Sequence, residues 1–157
     1  MIISIIVAIV VAVLVYLLVH RMISKRAISI ITNDAQKVTD AAMNDVLPIL
    51  IERDYIETPD SQFASETVAN MWGAGVMAFE YQFTVGPNKI NFDEVRWQLN
   101  SQLNTYADQN DIQSYEDVDR IFIVTDLWTY LDQLHIDVAY VVNESTAEYV
   151  KDLAKLS

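Results

Sequence analysis

The stretch Phe79-Glu80-Tyr81-Gln82-Phe83-Thr84-Val85 alternates large apolar and polar side chains at every step. Successive side chains of an extended chain point to opposite faces, so this period-2 pattern predicts a strand with one buried face. Gly86-Pro87-Asn88-Lys89 follows as a turn, and the short alternation Ile90-Asn91-Phe92 predicts the return arm of a hairpin. The period then changes. Val95, Leu99, Leu103 and Tyr106 share one helical face, and Asn91 with Glu94 three residues on, bracketed by Ile90 and Val95, has the form of a capping box with its hydrophobic staple. Strand and helix signals side by side predict a helix-rich α+β fold with a short antiparallel sheet.

Upstream of the strand, Phe63, Thr67, Met71, Trp72 and Gly75 predict a helix over residues 62–77, its end weakened by Gly73 and Gly75. Thr58-Pro59-Asp60-Ser61 is a turn, and Asp45 as N-cap with Pro48 in the first turn begins a short helix over residues 47–56. Downstream, residues 108–119 are a polar, acidic connection. Ser114 and Asp117 then cap a helix with the stripe Val118, Ile121, Thr125, Trp128 and Leu131, a segment whose Ile121-Phe122-Ile123-Val124 also reads as a strand. Residues 136–142 are apolar and β-branched, a further strand. A closing amphipathic helix begins at Ser145 or Thr146 and carries Tyr149, Val150, Leu153 and Leu156.

The N-terminus reads differently. From Ile2 to Val19 the chain is IISIIVAIVVAVLVYLLV, with Ser4 its one strongly polar side chain. At ~1.5 Å per residue such a helix covers about 27 Å, close to the hydrocarbon thickness of a bilayer, and predicts a single-pass transmembrane helix of the signal-anchor type. A cleaved signal peptide needs a basic n-region and a small-residue cleavage site, both missing here. Tyr16, His20, Arg21, Lys25 and Arg26 are the expected membrane-interface residues. The one-sided basic collar places the N-terminus outside and the C-terminal domain in the cytoplasm. Three regions follow: an anchor over 1–23, a basic collar and helical stalk over 24–57, and an acidic α+β domain over 58–157. Ile28, Ile31, Ala35, Val38, Ala42 and Ile49 line the stalk at 3-4 spacing. That stripe fits either a homodimeric coiled coil or a helix packed on its own domain, and two alanines with Asp45 in the seam favour the second.

Residues 27–157 hold seven bases and all twenty-two acids, for a charge of −15, so the body repels nucleic acid. Zero Cys removes thiol catalysis and Cys-based metal sites. No phosphate-binding glycine loop, no His-Glu-x-x-His and no nucleophile elbow occurs, and His135 followed by Asp137 is too unspecific to indicate a catalytic triad. Asp108, Asn110, Ser114, Glu116 and Asp119 are spaced like oxygen ligands of a calcium loop, and Asp108, Asp111 and Asp119 are the carboxylates a metal-dependent hydrolase would use. Ile112 and Gln113 occupy positions where that loop needs a ligand and a glycine, leaving at most a weak cation site. Trp97 lies off its helix's apolar stripe and, with the acidic set Glu116, Asp117 and Asp119, is a candidate for partner contact. Asn143-Glu144-Ser145 matches a glycosylation acceptor.

These features predict a non-catalytic membrane-anchored protein without a cofactor, whose acidic domain binds or scaffolds a protein partner, as an accessory subunit of a membrane complex would. Two alternatives share the layout: a phage- or plasmid-type membrane factor for superinfection exclusion or lysis control, and a membrane-tethered metal-dependent hydrolase.

Overall fold

A computed structural model of the chain describes residues 2–59, 65–68, 75–115 and 118–156, the side chains of 2–8, Ser24 and Lys25 excepted. The elements are α1 (Ile2–Val46), α2 (Pro48–Glu52), β1 (Glu66–Thr67), β2 (Ala78–Thr84), α3 (Phe92–Gln109), β3 (Phe122–Tyr130), β4 (Gln133–Tyr140) and α4 (Glu144–Leu153). The fold is helix-rich α+β, and its four strands form one antiparallel sheet in the order β1-β2-β4-β3. Two compact units divide the chain, Met1–Asn33 and Asp34–Ser157.

The transmembrane reading is overturned by the first unit, because among the described residues no helix is long and apolar enough to cross a membrane. The anchor over 1–23, the signal-anchor assignment and the membrane location with its orientation are withdrawn together. Within this unit Ile9 to Val19 are exposed around the helix, from 49% at Val19 to 67% at Leu18.

In the second unit the period-2 pattern of β2 is realised. Phe79, Tyr81 and Phe83 are buried, and they lie opposite Val138, Ile136 and Leu134 of β4. Ala42, Met43, Val46 and Leu50 cover this inner face together with Val95, Leu99 and Leu103 of α3. The stalk residues from Ala35 onward thus belong to the domain's own core. Asp40 fixes the placement, accepting from the Tyr81 hydroxyl at 2.8 Å and from Ser65 Oγ at 2.6 Å, while Gln36 Nε2 donates to the Ser65 carbonyl at 2.7 Å. Burial and the neighbouring carboxylate raise the Tyr81 phenol above its ordinary pKa.

Several local expectations are corrected. The Gly86 turn does not close a hairpin with Ile90–Phe92. Its backbone partners are Tyr55 and Asp54, since Gly86 N donates to Tyr55 O at 2.8 Å and Asn88 N to Asp54 O at 3.1 Å, and β2 pairs instead with β1 and β4. A Cβ at Gly86 would stand 2.2 Å from Asp54 O, so this close approach needs glycine. The helix expected over 118–131 is strand β3. Register shifts between Val124 and Asp126, so the buried positions run Phe122, Val124 and then Leu127, and this bulge interrupts the period-2 alternation by which a strand is read. Asp45 does not cap the second helix, because α1 continues to Val46 and Leu47 holds that place without a side-chain bond. Of the helix expected over 62–77, Glu66–Thr67 is strand β1, and residues 62–64 and 69–74, Trp72 among them, lie outside the described residues, as do Asp60 and Ser61 of the preceding turn.

Candidate functional site

The outer face of the sheet carries three rows of side chains across β2, β4 and β3. Cross-strand register sets Ala78, Ala139 and Ile123 in the first row, Glu80, Asp137 and Asp126 in the second, and Gln82, His135 and Trp128 in the third. Helix α4 reaches this face through Tyr149, which packs with Val76, Ala78 and Ala139. Its start is fixed by Asn143, whose Oδ1 accepts from Thr146 N at 2.8 Å and whose Nδ2 donates to Gly75 O at 2.8 Å. The glycosylation-acceptor asparagine is therefore engaged as a helix cap.

His135 Nδ1 meets Glu80 Oε1 at 2.6 Å, diagonally across the β2–β4 pair, and the Trp128 ring stacks on the imidazole at a centroid distance of 4.8 Å and 10° between planes. His135 Nε2 is buried without a hydrogen-bond partner among the described residues. Asp137, 8% exposed, likewise has a buried Oδ1 with no partner. Burial first, then the Glu80 and Asp126 carboxylates, push the Asp137 carboxyl up to about 7. Such a group exchanges its proton near neutrality. Thr125 Oγ1 donates to Asp137 O at 3.3 Å.

The residues singled out by sequence lie elsewhere. Trp97 is 69% exposed on α3, on the same helical face as the exposed Asp93, Ser101 and Asp108. Asp108 closes α3. Asn110 is its C-cap and donates from Nδ2 to Tyr106 O at 2.9 Å, Asp111 sits at φ 51°, and Asp119 is exposed. Among the described residues no group of three His, Asp or Glu is placed to hold a metal ion. Glu116 and Asp117 lie outside the described residues. On α1, Tyr16, His20, Arg21 and Arg26 are exposed, and the Tyr16 and His20 rings are 5.9 Å apart; the Lys25 side chain is outside the description.

Glu80, Asp126 and Trp128 were not singled out by sequence reading, because register between strands far apart in the chain has no local signature. The available signal was the polar alternation of β2 and the His135-x-Asp137 spacing inside an apolar strand. Comparison with family models, curated proteins and solved structures finds no match.

Proposed function

We propose that Asp34–Ser157 is a non-catalytic binding unit that captures a protein partner with a basic surface, in a scaffolding or accessory role, with Trp97 as its anchor. The observation that carries this reading is the 69% exposure of Trp97 on a helix face bearing Asp93 and Asp108. A tryptophan left in water holds apolar area that only a second surface can remove, and tryptophans are enriched among the few contacts that dominate interface energy. The −15 charge of residues 27–157 steers basic partners towards it. Against catalysis stands the His135–Glu80 pair, whose ring face is covered by Trp128 and whose free nitrogen is buried.

The test uses wild-type and Trp97→Ala chains as bait in extract from the native source at low and high salt. The expected result is a protein held by wild type, released by salt, and bound about 30-fold more weakly by the variant, the roughly 2 kcal/mol of an anchor residue, with unchanged melting temperature. Identical capture by both chains, or unfolding of the variant, would sink the reading.

A further inference from the structure

Beside α4 several of the domain's few bases gather. A groove of about 860 Å³ runs between α4 and the segment entering β3, with an aliphatic floor of Ile123, Val141, Ala147 and Val150 and with Arg120 and Lys151 along it. A second hollow of about 340 Å³ extends it past the shared Ile123, Val150 and Ala154 to Arg96. Among the described lining residues of the two, Arg96, Arg120 and Lys151 outnumber Asp119 and Asp126. Elsewhere in residues 27–157 the acids dominate heavily. Neither Arg120 nor Lys151 forms an ion pair with a described residue. Arg96 donates to the Val124 and Thr125 carbonyls and forms no ion pair with a described residue.

An apolar floor without hydrogen-bonding side chains matches a ligand without polar groups along its length, and Arg120 with Lys151, neither in an ion pair with a described residue, matches an anionic head. We propose that this groove binds a long-chain aliphatic carboxylate, its alkyl chain along Ile123, Ala147 and Val150 and its head between Arg120 and Lys151. The geometry accounts for why bases that are scarce in this domain converge on one aliphatic surface. Two cationic side chains at the head end select against cationic amphiphiles.

The chain contains no Cys, so Ala154→Cys in the full chain accepts a single environment-sensitive dye at the groove, and the readout stays local although Ile9–Val19 also exposes apolar side chains. Dodecanoate below its micelle concentration is titrated against dodecyltrimethylammonium and acetate. The expected result is a saturable dye response to dodecanoate, at least tenfold weaker binding of the trimethylammonium amphiphile, and none of acetate. Arg120→Gln with Lys151→Gln is expected to weaken dodecanoate at least tenfold with the melting temperature unchanged. The proposal is overturned by no saturable response, by equal response to both amphiphiles, or by a folded double variant that binds dodecanoate as wild type does. An acidic amphipathic peptide that displaces dodecanoate and binds more tightly would also overturn it, in favour of a protein segment.

Discussion

The side-chain amide of Asn104 stands to Phe122 as a neighbouring strand would. It donates to the Phe122 carbonyl at 2.8 Å and accepts from the N–H groups of Phe122 at 3.2 Å and Ile121 at 2.7 Å. One turn earlier on α3, Asn100 Oδ1 accepts from Val124 N at 2.8 Å, and one turn earlier again Arg96 donates to Val124 O at 2.8 Å. β3 is an edge strand, and at its start, from Ile121 to Thr125, outward backbone groups are taken up by these three side chains. The spacing works because four helical residues rise about 6 Å and two strand residues about 6.8 Å, so residues four apart on the helix meet residues two apart on the strand.

Asn104→Ala removes the partner of three backbone groups and reopens a pairing edge. We expect a loss of about 2–3 kcal/mol in urea unfolding together with self-association of the variant, whereas Thr105→Ala on the exposed side of the same turn changes stability by less than about 0.5 kcal/mol. Equal stability of the two variants would show that water replaces the amide without cost.

Asp137 sets a pH dependence of definite sign. Its folded pKa of about 7 lies above the ordinary 3.8, so the folded state binds the extra proton between those values. The stability this proton confers is complete below about pH 4 and is lost as pH rises through about 7, an effect on the order of 2–4 kcal/mol. Melting temperature should therefore fall between about pH 5 and about pH 8. In Asp137→Asn the fall should flatten and stability at the upper end should exceed wild type. A variant with the wild-type profile would assign the dependence to general repulsion among the acids.

The β3–β4 connection is a two-residue turn in which Leu131 and Asp132 both hold positive φ, 48° and 61°. Leucine there is strained and, at 76% exposure, gains no burial in return. Leu131→Asn with Asp132→Gly supplies residues suited to that conformation and is expected to raise stability by about 1–2 kcal/mol, read by thermal unfolding. A destabilised double variant would mean that Leu131 makes contacts its exposure hides.

Legibility in the sequence followed how local each determinant is. β2, α3 with its Asn91 cap, β4 and α4 were readable because periodicity and caps are written within a few residues: Phe79–Phe83 alternate as observed, and Asn91 Oδ1 does accept from Glu94 N. β3 was misread where a single bulge changes the phase. The Gly86 turn was misassigned because its partners, Asp54 and Tyr55, are distant in sequence. The same limit hid the outer-face cluster: Glu80, Asp137 and Asp126 are brought abreast only by strand order.

Strand order also dictates a sequence of assembly. β3 and β4 adjoin through a two-residue turn and receive α3 from the immediately preceding chain, so their contacts close short loops. β2 must find β4 across a loop that contains all of α3 and β3, and closing that loop costs more entropy before any bond repays it. The helix and its hairpin thus form a nucleus onto which β2, β1 and the end of α1 condense late. Conservative truncations at Leu99 and Val124 should slow refolding, while Phe79→Leu should chiefly hasten unfolding. The opposite partition would place the rate-limiting encounter at β2, and the nucleus would then be the central strand pair.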